Sequence, residues 1–138
     1  MNKYEKFPAY LRGLLETNKV SFSEDTLFEY EPFLCYRIVE REENDDSPVS
    51  MEDFKSYYEK GVKTTRAGRI TVTDPAYYSI SLSVDKEHLE RLFGFPNKKK
   101  KMIMGYVYKE GGPSELEKNG HVNWWLYEGI EVKGYHLL

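Results

Sequence analysis

The sequence predicts an α+β domain built on a mostly antiparallel, mixed sheet, and three observations carry that reading. The order of periodic segments is α, β, α, β, β, α, β, β, β; the three helical segments fall in the N-terminal two thirds; and 138 residues suit one core. A single domain over residues 1–138 is therefore expected. Apolar residues make up 40% of the chain and aromatics 15%, with 12 tyrosines, which is too much for the disordered class.

Each element has its own signal. Tyr4, Phe7, Leu11, Leu14 and Leu15 recur at helical spacing, and Pro8 fits only a first turn, so a helix is predicted over 8–17 with Asn18 ending it. "FLCYRIVE", 33–40, is rich in β-formers and apolar on both faces, as a central strand is. "REENDDSP" is acidic, aperiodic and ends in Ser-Pro, a solvated loop. Ser50 with Asp53 at the third helical position forms a shortened capping box, and "MEDFKSYYEKG" reads as one helix that stops at Gly61. "RITVT" alternates as a strand and is broken by "DP". "YYSISLS", 77–83, alternates more strictly, with Ser79, Ser81 and Ser83 on one face. Asp85 caps a third helix, Val84 and Leu89 staple its start, and Gly94 with Pro96 closes it. The "NKKKK" turn leads into "MIMGYVY". "KEGGPSELEKNG" reads as a loop, and "HVNWWLY" and "EVKGYHLL" as the last strands.

Several function classes lose support. The net charge is -3, from 20 basic and 23 acidic residues, so no global field favours nucleic acid or an anionic membrane. Cys35 is the single cysteine, which allows no internal disulfide. No signal-peptide pattern and no span of about 18 apolar residues occurs, and a cytoplasmic protein without a membrane partner is expected. No phosphate-binding Gly-rich loop, metal-spaced Cys or His pair, or Gly-x-Ser-x-Gly elbow is present, so no metal is predicted.

Candidate residues remain. Arg37 places a guanidinium among apolar neighbours and calls for a partner, either an internal carboxylate or a ligand phosphate or carboxylate gripped bidentately. Ser79, Ser81 and Ser83 present hydroxyls on one strand face ahead of a helix N-terminus, either toward a ligand or toward solvent. In "HVNWWLYEG", strand alternation puts His121, Asn123, Trp125 and Tyr127 on one side and Val122, Trp124, Leu126 and Glu128 on the other. Trp124 is then core. Trp125 beside His121 and Asn123 is able to stack a planar ring, while Glu128 ends the strand as a carboxylate suited to a cationic transition state. Lys98 to Lys101 could meet phosphates or simply solvate a turn.

"CYR" on an early strand, "YYSISLS" followed by a helix, "IMGYVYKEG" and a late strand ending in glutamate together resemble the layout of the ADP-ribosyltransferase family, from about residue 33 to the end. The resemblance implies that NAD is the cofactor and that Arg37 contacts its phosphates or ribose. It further implies that two of Ser79, Ser81 and Ser83 support the nicotinamide pocket, and that Glu128 or Glu131 stabilises the ribosyl oxocarbenium ion. Where the family has Glu-x-Glu or Gln-x-Glu, this chain has Glu128-Gly-Ile-Glu131. Trp125 or Tyr77 would supply the aromatic surface for nicotinamide, with His121 and Asn123 beside it. The function so implied is NAD-dependent modification of a macromolecule, as in a toxin or a defence or counter-defence factor. The alternative is a non-catalytic binding protein, an inhibitor or accessory factor from a mobile element, meeting a protein partner through an aromatic surface.

Overall fold

A computed structural model describes residues 4–62 and 71–138. Its elements in chain order are α1 (Ala9–Glu16), β1 (Thr26–Leu27), β2 (Phe33–Glu40), α2 (Tyr57–Lys60), β3 (Ile80–Ser83), α3 (Lys86–Leu92), β4 (Lys100–Val107), β5 (Ser114–Leu116), β6 (His121–Trp124) and β7 (His136–Leu137), with 3-10 turns at Met51–Asp53, Pro75–Tyr78 and Lys109–Gly111. The strands form one sheet in the order β1-β5-β6-β3-β2-β4-β7, every pair antiparallel. The α+β class and the N-terminal placement of the helices are as the sequence predicts.

The sheet is strongest at its middle. β2 and β4 pair along all eight residues, from Phe33↔Val107 to Glu40↔Lys100. The strands alternate so that Cys35, Val39, Ile80, Leu82, Ile103, Val107, Val122 and Trp124 bury themselves on one face, beneath Phe54 and Tyr135. Each such side chain stabilises the fold by about 1.5–3 kcal/mol when fully buried. Gly105 makes the seat for the roof, because a Cβ there would lie 2.5 Å from the Tyr135 ring. Phe54 then meets that ring edge-on at 5.1 Å.

A second cluster, Phe7, Leu11, Leu15, Val20, Tyr77, Tyr78 and Trp125, gathers under α1. Leu11 and Leu15 lie one turn apart on the buried stripe of α1, Pro8 stands at its N-cap, and Asn18 takes a positive φ of 59° just past its end.

Some elements differ from the expectation. The helix expected over 51–60 is a 3-10 turn and a separate one-turn helix, because Ser56 with Glu59 forms a second capping box and restarts the chain inside it. Arg69 and Ile70 of "RITVT" lie outside the described residues, and Thr71 to Thr73 form a turn rather than a strand. Tyr77 and Tyr78 belong to a 3-10 turn that Asp74 caps and Pro75 opens, so β3 begins only at Ile80. The loop 109–120 contains β5, and the last predicted strand contracts to His136–Leu137 after Gly134, whose φ is 86°. Among the described residues no helix is long and apolar enough to cross a membrane.

Candidate functional site

The site arises from a split in the sheet. β2 and β3 share a single pair, Tyr36↔Ser83, and then diverge, although each stays fully paired on its other side. Between the end of β2 and the start of β3 lies a cleft of about 560 Å³, well within the range of small-molecule sites. Ile38, Val39 and Leu82 line it, with Leu89 and Leu92 of α3 and Phe93 just past its end forming one wall. Asp53, Lys55, Tyr57 and Lys60 form the opposite wall; Lys100, Ser79, Ser81 and His121 also line it, as do the carboxylates Glu40 and Glu52, which pair with Lys100 and Lys55 at the rim.

Arg37 bridges the split. It is 7% exposed; its Nε donates to the Asp53 carbonyl oxygen at 2.7 Å, Nη1 to the Ser81 carbonyl at 2.7 Å and Nη2 to the Lys55 carbonyl at 3.3 Å. The planar fork thus ties β3 to the segment over the sheet, replacing ladder bonds that the diverging strands do not make. All three partners are neutral carbonyls. Among the described residues no carboxylate forms an ion pair with Arg37, and loss of water pulls its pKa down to about 10, only partly offset by the Asp53 charge.

The Asp53 carboxylate belongs to another arginine. Arg41 grips it bidentately at 2.6 and 2.8 Å, while Asp53 also accepts the Ser50 backbone N–H at 2.9 Å as part of the capping box. Two guanidiniums therefore stand near one carboxylate at the cleft floor, and of the two only Arg41 bonds to it. Lys60 and Lys100 add positive charge at the rim. The Lys60 ammonium is held below the usual lysine value by loss of water first and then by the Arg37 charge. Lys100 reaches Glu40 only loosely, at 3.7 Å, across an exposed pair.

The polar groups on the α3 side are tied down. Ser79 Oγ donates to Ala76 O at 2.9 Å and lies 3.2 Å from Asn123 Oδ1; His121 Nε2 meets the same Oδ1 at 3.0 Å. Asn123 Nδ2 in turn donates to Glu115 at 3.2 Å.

The predicted site residues thus separate into groups. Arg37, Ser79, Ser81 and His121 line one cleft, with Asn123 behind them. Ser83 instead accepts the Asp85 backbone N–H at 3.0 Å and supports the start of α3. Tyr77 is buried in the second cluster, its hydroxyl donating to the Val62 carbonyl. Trp125 is 1% exposed, donates to Pro75 O at 2.8 Å and packs edge-on against Phe22 at 4.9 Å, so its ring is spent on the core. Glu128 and Glu131 are exposed and line no part of the cleft; the Glu128 backbone N–H bonds to Lys6 O, toward the N-terminal segment. β6 ends at Trp124, so the alternation that aimed Glu128 stops before reaching it.

Sequence reasoning passed over Arg41, Asp53, Lys60 and the α3 wall. A partial signal for Arg41 was present: it lies on Arg37's side of an extended chain, although four residues or about 13 Å further on, and past the end of β2. Among the described residues no group of three or more His, Cys, Asp or Glu is placed to hold a metal ion. Comparison with family models, with curated proteins and with solved structures found no match.

Proposed function

We propose that this protein is a small-molecule-binding domain whose β2/β3 cleft receives an anionic group, and that it works by binding rather than by catalysis. The observation that carries this reading is the charge arrangement at the cleft floor. Arg37 is buried on carbonyl oxygens alone, beside an Arg41–Asp53 pair in which the carboxylate is already taken and Arg41 Nε is buried without a partner. A phosphate or carboxylate entering from the Lys60 and Lys100 rim supplies the missing negative charge, and the low-dielectric floor strengthens the attraction.

The ADP-ribosyltransferase resemblance would bring the pyrophosphate of NAD to this same place. The cleft supports the binding half of that chemistry. The carboxylates the resemblance assigns, Glu128 and Glu131, are solvated outside it, which favours a receptor over a transferase.

Thermal shift with pyrophosphate, ADP-ribose and NAD tests the reading. A ligand at a hundredfold excess over its Kd stabilises by about 2.7 kcal/mol, or roughly 9 °C in a chain of this length. The Lys60→Ala/Lys100→Ala double variant should lose most of that shift. No stabilisation by any anion would remove the support for the cleft. Transfer of an ADP-ribosyl mass to a lysate protein, abolished in Glu128→Gln, would restore the transferase reading.

A further inference from the structure

We propose that the anion this cleft receives is the head group of an amphipathic small molecule, a carboxylate or phosphate carrying an alkyl or aryl tail. The inference rests on the anion-binding reading and asks what else the cleft leaves unsatisfied. On the α3 side two of its neutral polar groups are engaged. Ser79 and His121 both bond toward Asn123, and Asn123 is held by Glu115, so the α3 side offers few free donors for a sugar or a base edge. Besides the Ser81 hydroxyl and Tyr36, what remains there is the apolar surface of Leu82, Leu89, Leu92 and Phe93.

Leu89 is 8% exposed and anchors α3, but Leu92, on the same wall, is 59% exposed. Phe93 follows it half-buried, with the Lys100 ammonium 5.8 Å from its ring centroid. An exposed leucine and a half-covered phenylalanine beside a cation whose carboxylate partner, Glu40, is exposed and 3.7 Å away make a surface that water and inorganic anions leave incompletely satisfied. Because the split in the sheet joins the Arg37 side to the α3 side, one molecule placed through it puts its charge near Arg37 and Lys60 and its tail against Leu92 and Phe93. A volume of about 560 Å³ accommodates such a molecule.

Isothermal titration calorimetry with inorganic phosphate, octyl phosphate, phenyl phosphate, octanoate, octanol and ADP separates the parts. Octyl phosphate should bind at least tenfold more tightly than inorganic phosphate, since each buried methylene strengthens binding by about fourfold. Comparison with octanoate and phenyl phosphate assigns head and tail. Leu92→Ser should weaken octyl phosphate by roughly three- to tenfold and leave inorganic phosphate unchanged, whereas Lys60→Ala/Lys100→Ala should weaken both. Leu92 is exposed, so its serine variant should keep the wild-type melting temperature. Inorganic phosphate or ADP binding as tightly as octyl phosphate overturns the amphipathic assignment while the anion cleft stands. Octanol binding as tightly as octyl phosphate, or no binding by any probe, overturns both.

Discussion

Replacing Arg37 by lysine keeps the charge and discards the geometry; replacing it by methionine discards both. The structure ranks the two variants against the usual notion of a conservative change. The fall of the Arg37 pKa from 12.5 to about 10 corresponds to roughly 3 kcal/mol spent on holding the charge out of water, at about 1.36 kcal/mol per pKa unit. Against it stand two bonds at 2.7 Å and one at 3.3 Å to carbonyl oxygens. A charged group's hydrogen bond contributes about 1.5–3 kcal/mol, and an orphaned buried acceptor costs about 1–3 kcal/mol. Methionine orphans the carbonyls but recovers the cost of the charge, for a net loss of about 1–2 kcal/mol. Lysine retains the charge, and one compact ammonium does not span the carbonyls of residues 53, 55 and 81 as a planar fork does. Its net loss is about 3–5 kcal/mol.

At about 2.1 cal/mol/K per residue for the entropy of unfolding, these losses lower the melting temperature by roughly 5 °C for Arg37→Met and roughly 10–15 °C for Arg37→Lys. Differential scanning calorimetry with urea denaturation at neutral pH measures both. A lysine variant more stable than the methionine variant would refute the reasoning, because the charge of Arg37, not its three-way fork, would then be what the fold uses.

Three other perturbations have defined outcomes. Trp125→Phe removes a fully buried indole and orphans Pro75 O; it should cost about 2–4 kcal/mol in urea denaturation and leave the octyl phosphate affinity of the folded protein unchanged. Gly105→Ala drives a methyl to 2.5 Å from the Tyr135 ring carbons, for a loss of about 3 kcal/mol, and Tyr135→Leu in the same chain should recover part of it. Raising pH should destabilise the protein beyond the ordinary tyrosine pKa. Burial holds Tyr10, Tyr30 and Tyr135 above the ordinary tyrosine value of about 10, so their contribution is complete below about pH 10 and is lost above it, where the unfolded chain sheds protons that the fold retains. Arg37, whose folded pKa is depressed, acts with the opposite sign above about pH 10, and one arginine does not offset three tyrosines. Urea midpoints between about pH 9 and about pH 11 should fall steadily, with the phenolate absorbance rising in step with unfolding.

The parts of this fold legible in the sequence are those whose signal is local. β2 announced itself through β-branched and aromatic residues on both faces, α1 through Leu11 and Leu15, and α3 through the Asp85 cap, whose side chain accepts the His88 N–H. Trp124 and Trp125 do enter different clusters, but Trp125 lies just past the end of β6 and is buried in the second core rather than set on a polar face. What the local pattern left open was the cover on Trp125's side. Phe7, Phe22 and Tyr77 supply it from elements far away in sequence. The cleft was half legible for the same reason. Arg37 and Ser81 belong to strands readable in isolation, but that β2 and β3 part after Tyr36 and Ser83 is a property of packing. Asp53, read as a capping residue, is one; that both its oxygens would also meet Arg41 depends on where the 41–56 segment crosses the sheet.

A cation at position 37 is costly to this core. Flanked on its own face by Cys35 and Val39, the position would accept an apolar side chain of similar volume, and such replacements of buried charge are often neutral or stabilising. A guanidinium held there by carbonyl oxygens alone is a local conflict between sequence and fold, and conflicts of that kind concentrate where a surface is used. Stability and binding at this residue therefore separate. If Arg37→Met loses little stability and Arg37→Lys much more, the arginine's planar shape keeps the split sheet tied, and its charge serves what enters the cleft. The methionine variant should then stay folded and lose anion affinity by at least tenfold, the share expected of one desolvated, charge-assisted contact.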